Sequence, residues 1–332
     1  MIHKFHIPVL GLGYSVDTPL KVARYGISSV VSVVDDELIE RMREYHAKKN
    51  NEPYEAITKA EPGFREKRIT SYLNLLEKLV NQQFEQLKNE PFEPGSDICR
   101  YFDLLPESSP LKQGYDLMQE YTDEGTRRIF QDRLRLELKK GQIDVNIMSK
   151  VDKTNYTANH ESTGEENTDA LTALRGFAHS NLRSSVILSA GMNPRLYSYI
   201  ESFADFLPDE SGSTLKKIIL KVSDFRSGLI QAKFLAKKGL WISEFRIESG
   251  LNCGGHAFAS DGYLLGPVLE EFKNKREALH LELFEMYKAA LLIKGISISN
   301  IPPQRISVQG GIGTADENVG QRVRFVAEAL SL

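Results

Sequence analysis

"KKIILKVSDFRSGLIQAKFLAKKGLWISEFRI" runs from Lys216 to Ile247. A β-branched run, Lys216–Val222, gives way to the helical stretch "FRSGLIQAKFLAKKG", which stops at Gly239. A second apolar run, Trp241–Ile247, follows at once. Two strand-like runs joined by a helical crossover predict a parallel pair. The alternation recurs on both sides of this segment. Ile7–Leu12 leads into "DTPLKVARYG", where Asp17 or Thr18 can cap, Pro19 sits in the first turn and Gly26 ends the helix. Ser28–Val34 leads into "DDELIERMREYHAK". Ile143–Met148 is a third run, and Ser184–Ala190 a fourth with a helix around Arg195–Phe206. Arg305–Gln309 is the last, followed by "ENVGQRVRFVAEAL". Seven runs of this kind predict an α/β chain, a (β/α)8 TIM barrel incomplete at its C-terminal end. No eighth strand is visible after Gln309. A piece of a longer polypeptide, another means of closure, or an open sheet are the alternatives.

Residues 50–140 break the rhythm, with helical patterning and no convincing strand. "RITSYLNLLEKLVNQQFEQL" puts Ile69, Leu73, Leu76, Leu79, Val80 and Leu87 on one helical face. "NEPFEPGSD" separates it from the long helical stretch "YDLMQEYTDEGTRRIFQDRLRLELKK". The expected organisation is therefore a barrel start over 1–49, an all-helical insertion over 50–140 between strands two and three, and a barrel continuation over 141–332. The insertion is read as a cap, a spacer or the interface of a homo-oligomer.

Composition narrows the function. The chain has 332 residues, 41% apolar and 26% charged, with a net charge of −3. That balance leaves no electrostatic footprint for nucleic acid and no basic run for a membrane surface. No stretch approaches the length of a membrane span, and "MIHKFHIPVLGLGYS" is too short and glycine-rich for a signal sequence. The two cysteines, Cys99 and Cys253, are far apart, so no disulfide framework is expected and the cytoplasm is the expected compartment. The sequon at Asn155 is read as chance.

In parallel barrels, functional groups gather in loops beyond the C-terminal strand ends. Three such loops are rich in glycine or polar residues: "GLGYSVDT", "ESGLNCGGHAF" and "QGGIGTADEN". Gly310, Gly311 and Gly313 would let the backbone approach a phosphate, with the next helix adding its positive end. His256 stands behind Gly254 and Gly255; an imidazole ordinarily titrates near neutral pH and so suits acid–base work, although core packing is the competing reading. A metal site is not expected, because Cys253 and His256 have no second nearby pair to complete a ligand set.

"KVSDFRSGLIQAKFLAKKGLWISEFRIESGLNCGGHAF", "ISVQGGIGT", "IPVLGLGYSVDTPLKVARYGISSVVSVV" and "IDVNIM" together resemble the FMN-dependent nitronate monooxygenases, the 2-nitropropane dioxygenases. Related FMN barrels share the Gly-Gly-Ile-Gly loop. The resemblance implies an FMN-dependent oxidoreductase that oxidises a small nitronate or carbanion-like substrate, with O2 reoxidising the flavin. It implies that Gly11 and Gly13 pass the isoalloxazine, and that Asn146 hydrogen-bonds the flavin. Lys221 would face the ring's N1–C2 edge as both a catalytic and a cofactor-binding group. Gly254 and Gly255 would line the phosphate or ribityl side, His256 would act as base or hold the nitronate, and Gly310, Gly311 and Gly313 would bind phosphate. The chain lacks the family's Pro-Met pair in the first loop and its strand with a Gly-Thr-Arg type phosphate contact. An FMN reductase using NAD(P)H and a non-catalytic flavin- or phosphate-binding barrel are the alternatives.

Overall fold

The computed structural model describes residues 16–33, 35–147, 152–156, 159–189, 191–209, 211–248 and 265–309. The strands are β1 (Ser29–Ser32), β2 (Ile143–Ile147), β3 (Ser185–Leu188), β4 (Lys217–Val222), β5 (Ile242–Glu248) and β6 (Arg305–Gln309). The helices are α1 (Thr18–Val22), α2 (Asp36–Lys49), α3 (Phe64–Asn89), α4 (Asp97–Asp103), α5 (Pro110–Glu120), α6 (Glu124–Glu137), α7 (Asp169–Ala178), α8 (Pro194–Ile200), α9 (Phe225–Ala236) and α10 (Leu265–Ile293).

The strands follow one another in the order β1-β2-β3-β4-β5-β6. The pairs β1–β2, β3–β4, β4–β5 and β5–β6 are parallel. This corrects the expected barrel: among the described residues the chain is α/β with a six-stranded sheet, not an eight-stranded (β/α)8 barrel carrying a helical insertion. The reason lies in what alternation encodes. A strand–helix–strand rhythm fixes parallel pairing, because a crossover is needed to bring the chain back. Closure depends on strand number and stagger, which the rhythm does not record. The expected strand over Ile7–Leu12 lies outside the described residues.

Two compact units divide the chain. The first spans Met1–Asn146 and Arg175–Ser184. The helices between β1 and β2 belong to it, so they are part of its own core and not a module set into a barrel. The apolar stripe of α3 is buried as its spacing implies, with Ile69, Leu73, Leu76, Leu79, Val80 and Leu87 all at 2% exposure or less. Beside it Tyr101, Phe102 and Tyr115 form an aromatic cluster in which Phe102 and Tyr115 stack at 4.6 Å. The second half of α7 sits against α3: Thr70 Oγ1 donates to the Gly176 carbonyl, and Glu66 pairs with Arg175 and His179.

The second unit spans Ile147–Leu174 and Ser185–Leu332. Asp224 caps α9 by accepting from Ser227 N at 2.7 Å, and Gly239, at φ +75°, turns the chain out of that helix toward β5. One face of β4–β5 is apolar, with Leu220 and Phe245 as register partners and Val222 opposite Ile247. It packs under α9 and α10, where Phe272 meets Phe245 at 5.7 Å and Phe225 at 5.0 Å. Each buried aromatic or aliphatic side chain there contributes roughly 1.5–3 kcal/mol.

In the first unit Gly141 donates its N–H to the Ala23 carbonyl at 2.7 Å, and a Cβ on it would stand 2.0 Å from the Ile27 carbonyl oxygen. Backbone cannot yield as a side chain can, so Gly141→Ala should destabilise the protein by about 2–4 kcal/mol. Gly266→Ala, where nothing lies within 4 Å, should change it by less than about 0.5 kcal/mol. Urea midpoints of the two variants check this contrast.

Candidate functional site

The face of β4–β6 opposite the apolar one carries the charged side chains, with Ile219 of β4 among them opposite Glu244. Along β5 the side chains alternate, so Glu244, Arg246 and Glu248 share one face while Phe245 and Ile247 share the other. Register carries the polar face onto the neighbours. Lys221 stands opposite Arg246 on β4, and on β6 Arg305, Ser307 and Gln309 stand opposite Glu244, Arg246 and Glu248. Most of this face is buried, with side-chain exposures of 2% for Glu244, 5% for Arg246, 4% for Glu248 and 14% for Lys221.

Glu244 is the hub. Arg246 reaches its Oε1 through Nε at 2.9 Å and through a terminal nitrogen at 2.8 Å. Arg305 binds its Oε2, and Ser307 Oγ donates to Oε1 at 2.6 Å. Burial works against the charge of this carboxyl, but the flanking Arg246 and Arg305 and the Ser307 hydroxyl outweigh it and hold the carboxyl below the ordinary glutamate range. At the C-terminal tip of β5, Glu248 accepts from Lys221 Nζ at 3.3 Å. Each buried cation on the face thus has its own carboxylate.

Two of the residues singled out in the sequence fall within the described residues. Lys221 lies on this polar face near the C-terminal end of β4. Asn146 lies in the first unit at the C-terminal end of β2, opposite Ser32, to whose Oγ its amide donates at 3.2 Å. Its Oδ1 is buried and accepts no hydrogen bond among the described residues. Gly11, Gly13, Gly254, Gly255, His256, Gly310, Gly311 and Gly313 lie outside the described residues. The sequence that carries Gly254, Gly255 and His256 leaves β5 after Glu248, and the one that carries Gly310, Gly311 and Gly313 leaves β6 after Gln309.

Sequence reasoning passed over Glu244, Arg246, Glu248 and Arg305. The signal was present in "SEFRIE", where charged and apolar residues alternate inside a strand bounded by helical crossovers. Strands covered on both faces by apolar layers read as continuous apolar runs. A charged residue at every second position marks a sheet with one polar face. Among the described residues no group of His, Cys, Asp and Glu is arranged to hold a metal ion. No helix among them is long and apolar enough to cross a membrane.

Removing the Glu244 charge leaves Arg246 buried without its partner, so Glu244→Gln should cost about 3–5 kcal/mol at neutral pH. The folded carboxyl titrates below its unfolded value of about 4.3, so its contribution is full above that value and is lost as pH falls through the folded one. Urea denaturation of both proteins from pH 7 down to pH 3 should show the gap between them narrowing only below about pH 4.

No protein-family model, curated protein or solved structure matches the chain.

Proposed function

We propose that the chain is an FMN-dependent oxidoreductase of the nitronate monooxygenase kind, which oxidises a small nitronate or carbanion-like substrate and passes the electrons to O2. The observation that carries this reading is the setting of Lys221. It stands near the C-terminal end of a parallel strand, on a polar face, 14% exposed and held by Glu248. Ligands of parallel α/β sheets bind beyond the carboxyl ends of the strands. A cation held there in partly dry surroundings suits a ring edge that gains negative charge on reduction.

The residues fit such a group one by one. Lys221 Nζ has three donors and spends one on Glu248 among the described residues. The glycine-rich segments that follow β5 and β6 supply backbone N–H groups for a phosphate, as the sequence resemblance implies for Gly254, Gly255, Gly310, Gly311 and Gly313. When bound, the flavin supplies the electron transfer. The protein's part is orientation and charge: Lys221 stabilises the anionic ring edge, and His256 takes a proton from the substrate carbon or holds its anionic form.

Purified protein should be yellow or turn yellow on adding FMN. His256→Ala should keep the flavin and lose turnover with nitroalkanes by about 10²–10⁴-fold. A colourless protein that takes up no FMN would contradict the assignment. Flavin reduction by NADPH with no response to nitroalkanes would move it to a nicotinamide-using reductase.

A further inference from the structure

Lys221 and Arg246 are register partners on adjacent parallel strands, so their backbones lie about 4.8 Å apart with both side chains on one face. Like charges at such positions repel, and the repulsion grows as water is removed. Here the two are 14% and 5% exposed. A fold that needed only stability would place one cation against one carboxylate. This face instead sets two cations side by side, each held by a carboxylate of β5, Glu248 for Lys221 and Glu244 for Arg246. Neither cation is exhausted by its partner. Lys221 makes one hydrogen bond among the described residues, out of three donors. Arg246 engages Glu244 through Nε and one terminal nitrogen, and its other terminal nitrogen makes no hydrogen bond among the described residues.

Glu244 in turn is pinned from β6 by Arg305 and Ser307, which fixes the direction in which the Arg246 guanidinium points. A lysine and an oriented arginine side by side, each with donors to spare on a mostly dry face, make the arrangement that recognises an oxyanion. The arginine presents a planar fork and the lysine a point charge. We infer that Lys221 and Arg246 form an oxyanion-binding site for a phosphate or carboxylate group, and that Glu244 is its positioning residue. The inference stands whether or not the protein binds flavin.

The test is calorimetric titration of the purified full chain with inorganic phosphate and with malonate, at constant ionic strength set by chloride. Saturable binding of one anion per chain is expected for at least one of them. Arg246→Met and Lys221→Met should each weaken it at least about tenfold, and Arg246→Lys should weaken it less than Arg246→Met. Glu244→Gln should weaken it while Arg246 is intact, which a purely charge-counting site would not do, because removing a nearby negative charge would strengthen anion binding. Should Arg246→Met fail to fold, Lys221→Met and Arg246→Lys carry the comparison. Absence of saturable binding above chloride, or binding that none of these variants changes, would overturn the site. Repeating the titration with FMN present separates the sources: competition assigns the oxyanion to the flavin nucleotide, and simultaneous binding assigns it to a second ligand. Anion binding in a protein that takes up no FMN leaves this site standing and removes the flavin reading.

Discussion

A carboxylate with almost no access to water, Glu244, organises the second unit. Taking a carboxylate out of water costs several kcal/mol, and only close, well-directed partners offset it. The chain supplies them from two strands: Arg246 on its own strand, and Arg305 and Ser307 on β6. The requirement fixes more than one contact. It ties β6 to β5 in the register that sets Glu244 against Arg305, and it commits the whole alternation of β5, because Phe245 and Ile247 then turn to the helices α9 and α10. A slip of one residue would send the glutamates and arginine into the aromatic layer and bring the apolar side chains to the polar face. Burial of charge therefore acts here as a specifier of register.

The same constraint sets what the polar face can do. Its donors are rigid, because a strand fixes their backbone and a salt-bridge partner fixes their rotamer. Rigid donors in dry surroundings need no reorganisation when a negatively charged group arrives, which is the condition under which such groups stabilise charge well. Lys221 and Glu248 sit near the carboxyl ends of β4 and β5, and the glycine-rich segments follow β5 and β6 in the sequence. Architecture and chemistry thus point to one region of the second unit.

The sequence made the strands legible and hid their arrangement. Runs such as "KKIILKV" and "WISEFRI" were visible because β-branched and aromatic residues cluster between a cap and a stop, Asp224 before α9 and Gly239 after it. The buried stripe of α3 was visible because Ile69, Leu73, Leu76 and Val80 recur at helical spacing. Closure was not legible, because nothing in a single strand's composition states how many neighbours it has. Of the candidate site, only Lys221 is singled out in the sequence, and through the resemblance alone. Arg246 and Glu244 do not stand out by apolar content, which marks the run as a strand; only the charges between the apolar residues carry the information. Gly176 illustrates a different silence: its Cβ would meet Ile69 Cγ2 at 2.7 Å, a demand set by α7 lying on α3 and invisible to any local pattern.

The central claim is that Lys221 faces a bound flavin from the polar sheet face. It is tested most directly by lysine acylation of the purified protein, read residue by residue by mass spectrometry with and without FMN. The account expects Lys221 to be modified in the flavin-free protein and protected in step with FMN saturation, while exposed lysines such as Lys217 on the same strand react equally in both. FMN binding that leaves Lys221 reactivity unchanged, or no FMN binding at all, would contradict it.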